Sequence, residues 1–115
     1  AEMVRTMRSR GAVPAFPPIV ASGANACVMH YQANRAPLRD GDLLLIDAGA
    51  ELECYASDIS RSFPLNGRYS REQRALYEVV LAAQQAAIEQ VRPGRPFSAA
   101  RTLRGACRRR TAVGR

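Results

Sequence analysis

Two aspartates, Asp47 and Asp58, are the residues of this chain best placed to do chemistry. Asp47 interrupts the apolar run Leu43-Leu44-Leu45-Ile46-Asp47-Ala48-Gly49, which has strand length and reads as a strand buried on both faces. Asp58 lies in a second strand-like stretch, Glu53 to Phe63, rich in β-branched, aromatic and small residues and closed by Pro64. A hairpin reversing near Leu52-Glu53 sets Asp47 opposite Asp58. Opposed residues have Cβ atoms roughly 4.5 to 5.5 Å apart, and like charges at that distance destabilise a sheet. A shared proton, a nearby guanidinium such as Arg61, or one or two divalent cations would compensate. Cations suit the pair best. Hard ions such as Mn2+ favour carboxylate oxygen, and two of them about 3.5 to 4 Å apart can bind a bridging water and lower its pKa for attack on an amide. The plainer alternative is an Asp47 satisfied by backbone amides and an Asp58 that is a surface acid, because two aspartates at this spacing are common. His30, the only histidine, reads by itself as a packed or surface residue, and Arg61 as a surface cation.

The elements that would position these residues are legible from pattern. Residues 2–10 carry Met3, Val4 and Met7 at helical spacing, with Gly11 where a helix stops. Pro14, Pro17 and Pro18 enforce extended or loop backbone. Ile19 to Ala21 and Ala26 to His30 read as short strands separated by the turn-like Ser22-Gly23-Ala24-Asn25. Arg39-Asp40-Gly41-Asp42 is a turn before the first aspartate strand, and Asn66-Gly67 a turn after the second. Ser70 and Gln73 have the form of a capping box that opens a long helix through Val91. Its apolar stripe is Leu76, Val79, Val80, Ala83, Ala87, Ile88 and Val91, and Pro93-Gly94 ends it. No internal repeat is present. The expected architecture is α+β: an antiparallel sheet containing the 43–63 hairpin, with the long helix packed against it.

Composition narrows the classes. A chain of 115 residues, 47% hydrophobic and 23% charged, is of globular type. It has no apolar run long enough to span a membrane and no signal-peptide pattern, so the expectation is a cytoplasmic protein without a membrane partner. Cys27, Cys54 and Cys107 are widely spaced and form no C-x-x-C pair, which argues against a disulfide framework or thiolate zinc and for reduced, packed thiols. The net charge of +7 is local: residues 1–94 hold ten Arg and ten acids, and residues 95–115 hold seven Arg and none. No aromatic is interleaved with Arg101 to Arg115 as a base-stacking platform requires, which argues against nucleic acid.

The wording around the aspartates is more specific than their spacing. Leu45-Ile46-Asp47-Ala48-Gly49 followed by Tyr55-Ala56-Ser57-Asp58-Ile59-Ser60-Arg61-Ser62-Phe63-Pro64 resembles the metal-binding segment of aminopeptidase P and prolidase, members of the pita-bread metallopeptidases. Ile19 to Asn25, His30-Tyr31, Arg39 to Asp42, Asn66-Gly67 and Arg92-Pro93-Gly94 continue the resemblance, which covers roughly residues 2–97. It implies a partial pita-bread fold and a site with two divalent metal ions, commonly Mn2+, bound by two Asp, one His and two Glu. Asp47 matches an Asp that ligates one metal and Asp58 one that bridges both. His30 matches a pocket histidine that binds the scissile carbonyl or shuttles a proton. Arg61 would hold carboxylates in place from behind. The retained aspartates distinguish the chain from creatinase, and Asp58 to Pro64 favours the Xaa-Pro branch over methionine aminopeptidase.

The metal His and both Glu of that family have no counterpart here. The expectation is therefore residues 1–97 as the front portion of a catalytic domain and 98–115 as an arginine-rich tail, the chain being a fragment, a frameshifted reading or a truncated relative. Such a piece binds metal weakly, lacks a closed pocket, leaves a sheet face uncovered and self-associates or dissolves poorly. The function implied for the parent is release of the N-terminal residue from peptides with proline second, a homo-oligomer being compatible with it. The alternatives are a prolidase-like dipeptidase and a catalytically dead module whose basic tail binds nucleic acid.

Overall fold

Residues 1–96 and Ser98 are described by a computed structural model. The arginine-rich segment 98–115 read from the sequence lies, Ser98 apart, outside the described residues. The chain divides into two compact units, Ala1–Arg68 and Tyr69–Arg115.

The first unit opens with helix α1, Glu2–Ser9. Gly11 ends it at φ +77, with its N–H on the Arg8 carbonyl and the Ala12 N–H on the Met7 carbonyl. These two bonds form a Schellman closure, which needs a left-handed residue at that point. Strand β1 (Val13–Pro14) and β2 (Ile19–Ser22) follow. Gly23–Cys27 is a 3-10 helix, and residues 28–42 are irregular up to a turn at 40–41. Strands β3 (Leu43–Ala48), β4 (Ala50–Leu52), β5 (Tyr55–Ala56) and β6 (Ile59–Pro64) complete two antiparallel sheets, ordered β1-β4-β5 and β2-β3-β6.

Three expectations change. Ala26 to His30 is not a strand. The outer edge of β2, where it would pair, is taken by the Asn34 side chain, whose Oδ1 accepts from the Val20 N–H at 2.7 Å and whose Nδ2 donates to the Pro18 carbonyl at 2.8 Å. The apolar run is not buried on both faces: within β3 only Leu44 is buried, at 7% exposure, and its neighbours are half-buried. The small core places Ile19 and Ala21 on one face of the β2-β3-β6 sheet and Leu44 and Ser22 on the other. Finally, Cys27 and Cys54 are reduced but exposed rather than packed.

In the second unit, α2 spans Arg71–Glu89, and both capping-box bonds form: the Gln73 N–H donates to Ser70 Oγ at 3.2 Å and the Ser70 N–H to Gln73 Oε1 at 2.9 Å. The helix stops at cap Gln90, short of Val91. Arg92 precedes Pro93, and a residue in that position is pushed out of helical backbone. Leu76, Val80 and Ile88 of the apolar stripe are exposed.

Candidate metal centre

Asp47 stands in the middle strand of its sheet, between Ile19 of β2 and Ser60 of β6. That register corrects the hairpin expected from sequence, in which Asp58 faced Asp47. The reversal is at Glu53-Cys54, both left-handed at φ 50 and 69, with Leu52 opposite Tyr55. Two positive φ values make a two-residue loop of the kind whose twist matches the flanking strands. The reversal therefore falls one residue later than expected and every partner moves by two. Ala48 faces Ile59 and Glu51 faces Ala56, so the same register runs through both sheets and puts Asp58 level with Gly49.

Asp58 is thus diagonal to Asp47 rather than opposed. Diagonal positions are roughly 7 to 8 Å apart, against 4.5 to 5.5 Å for opposed ones. The like-charge conflict of an opposed pair is relieved by geometry, and the wider gap leaves room for a cation between the carboxylates.

The two aspartates differ in surroundings. Asp47 is half-buried, and its Oδ1 is buried without a hydrogen-bond partner. A buried, unpartnered carboxylate oxygen costs about 1–3 kcal/mol or more, and this disposes of an Asp47 satisfied by backbone amides at that atom. A cation would satisfy it. Asp58 is exposed. The donor chemistry, two hard carboxylates with one oxygen held dry, fits a divalent ion such as Mn2+. It is a partial set: among the described residues no group of three or more His, Cys, Asp or Glu gathers to hold a metal.

The remaining candidates lie elsewhere. Arg61 faces Ile46, one step out of phase with Asp47, which assigns it to the opposite face of the sheet, and its Nη1 donates to the Ser60 carbonyl at 2.8 Å. His30 is exposed in the 28–42 segment at φ 54, left-handed backbone that costs a residue with a Cβ about 1–2 kcal/mol. Asn34, itself at φ 48, ties that segment to β2.

Two residues that the sequence reading quoted without singling out prove central to the geometry. Gly49 is where the hairpin passes from one sheet to the other, and a Cβ there would lie 1.8 Å from the Ser57 carbonyl oxygen and 2.9 Å from the Phe16 ring. Ser57 meets Ala50 through its own hydroxyl: the Ala50 N–H donates to Ser57 Oγ at 3.0 Å, and that hydroxyl donates to the Ala50 carbonyl at 3.2 Å.

The model of metallopeptidase family M24 matches residues 1–109, past residue 97 where the recognisable motifs stop. The Xaa-Pro aminopeptidase of Haemophilus influenzae is 57% identical over 81 residues, covering 70% of this chain and 19% of that protein. The structure of Pseudomonas aeruginosa aminopeptidase PepP superposes with a TM-score of 0.86 at 52% identity, over 89% of this chain and 23% of that one. A zinc-substituted Escherichia coli aminopeptidase P in complex with product superposes at 0.78 and 44% identity, over 81% and 21%. The chain spans about a fifth of the length of the curated relatives it matches. Two antiparallel sheets with helices, matched this closely to aminopeptidase P, give the chain the partial pita-bread architecture, and it belongs to metallopeptidase family M24.

Proposed function

We propose that this chain supplies two of the metal ligands, Asp47 and Asp58, of a peptidase that releases the N-terminal residue from peptides with proline in second place. The observation that carries the reading is the buried, unpartnered Asp47 Oδ1, with Asp58 at the diagonal position across Gly49. A pair of divalent cations held there, Mn2+ by the hardness of the oxygen donors, would supply Lewis-acid polarisation of the scissile carbonyl and an acidified water.

The chain's own residues do the holding. Asp47, fixed between β2 and β6, offers one dry oxygen. Asp58, exposed beyond the strand crossing, would offer a second carboxylate to the same cations. His30, held in left-handed backbone near the start of the segment that Asn34 fastens, receives the scissile carbonyl or passes a proton. The exposed, unclosed character of the 28–42 segment is consistent with a pocket wall that other parts of a longer protein complete. The proline preference rests on the named relatives and on the Asp58 to Pro64 wording.

The test is a chimera in which residues 1–96 replace the matching segment of the Pseudomonas aeruginosa aminopeptidase. It should cleave Xaa-Pro peptides longer than two residues, and Asp47→Asn or Asp58→Asn should each abolish turnover. A folded chimera that keeps turnover after either substitution contradicts the reading. Preference for Xaa-Pro dipeptides would convert it to a prolidase-like one.

A further inference from the structure

We propose that Ser57 is a positioning residue for Asp58: its hydroxyl replaces a strand carbonyl at the sheet crossing and so fixes the peptide plane that leads into Asp58. The inference rests on the two-aspartate metal reading above.

Ala50 and Ser57 are level with each other in the hairpin register, and a hydrogen-bonded antiparallel pair ordinarily exchanges two backbone N–H to carbonyl bonds. One of them is present, from the Ser57 N–H to the Ala50 carbonyl at 2.9 Å. In the other direction the Ala50 N–H goes to the Ser57 hydroxyl at 3.0 Å. That hydroxyl also donates to the Ala50 carbonyl at 3.2 Å, so the side chain closes a small cycle with the backbone of one residue. The Ser57 carbonyl, released from the ladder, lies against Gly49, so close that a Cβ on Gly49 would be 1.8 Å from it.

The consequence reaches Asp58 through the rigidity of the peptide unit. The Ser57 carbonyl and the Asp58 nitrogen share one plane. Without the hydroxyl, the Ala50 N–H is satisfied by the Ser57 carbonyl only if that plane turns, and turning it moves the Asp58 backbone. The absent Gly49 side chain creates the space for the outward carbonyl, and the serine hydroxyl makes that orientation the hydrogen-bonded one. Alanine at 57 loses the device; threonine keeps it.

The experiment compares the full chain with Ser57→Ala, Ser57→Thr and Ser57→Cys. One readout is hydrogen exchange at the Ala50 amide, referenced to Leu45 in the middle of β3. The other is Mn2+ affinity, followed as loss of the free-ion electron paramagnetic resonance signal. Ser57→Ala should speed exchange at Ala50 and weaken Mn2+ binding roughly tenfold, the scale on which groups supporting metal ligands act. Ser57→Thr should match the unsubstituted chain in both. Faster exchange with an unchanged Mn2+ midpoint would make the hydroxyl merely structural and overturn the proposal, as would no change in either. If Ser57→Ala also loses protection at Leu45, Ser57→Cys decides, because its thiol is a weak acceptor of similar shape: an intermediate midpoint supports the proposal and an unchanged one overturns it. An unsubstituted chain that takes up no Mn2+ overturns the metal reading and this inference with it, a result seen before any substitution is made.

Discussion

The two aspartates are held by opposite means. Asp47 sits in an unbroken ladder, with backbone partners on both sides and a carboxylate oxygen sealed from water. Asp58 sits where the ladder lapses, beyond a serine that hydrogen-bonds through its side chain and across from a glycine without room for a Cβ. One register places both residues, but beside Asp58 a side-chain hydrogen bond stands where a ladder bond would. In the proposed metal site, the regular strand would fix a first ligand and bear the cost of its desolvation, and the interrupted strand would carry a second ligand at the diagonal.

Gly49→Ala attacks both positions at once and should have the largest effect. The added Cβ meets the Ser57 carbonyl, the strands must separate, and about 3 kcal/mol of stability should be lost in urea unfolding. Asn34→Ala should cost about 1–2 kcal/mol by freeing the edge of β2, with faster exchange at the Val20 amide. Asn34→Gly, which tolerates φ 48 but lacks the amide, should accelerate Val20 as much while sparing the backbone strain.

Asp47→Asn and Asp58→Asn sharpen the contrast directly. Removing the charge from a buried oxygen should raise metal-free stability by about 1 kcal/mol at position 47, whereas exposed position 58 should stay within about 0.5 kcal/mol. Equal shifts at the two positions would erase the distinction. Away from the site, the Glu72 carboxyl lies below its ordinary range, through its own backbone N–H and then the Ser70 hydroxyl. A depressed carboxylate stabilises the folded form above its unfolded pKa, and that contribution is lost as pH falls through the folded value. The first turn of α2 should therefore fray in acid, read by amide exchange at Gln73.

What the sequence disclosed follows the same division. The Gly11 stop and the Ser70 box were legible because each is local: the residue types that satisfy a helix end lie within four positions of it. Asp47 and Asp58 were legible as anomalies of type in strand-like context. Their mutual register was not, because Glu53-Cys54 lacks the Asn, Asp or Gly that marks a two-residue loop and still adopts two left-handed conformations. The segment 26–30 misled for another reason. A strand needs an edge to pair with, and the side-chain amide of Asn34, 14 residues on from Val20, had taken it.

On the proposed reading, Asp47 and Asp58 act together on a divalent ion. The most direct measurement is a Mn2+ titration of the isotope-labelled chain, read residue by residue as paramagnetic broadening of the amide signals. Asp47, Asp58, Ile59 and Ser60 should fade first, and Asp47→Asn should abolish that pattern. Broadening that begins at the exposed carboxylates of Glu2, Glu72 and Glu89 while Asp47 and Asp58 stay sharp would contradict it.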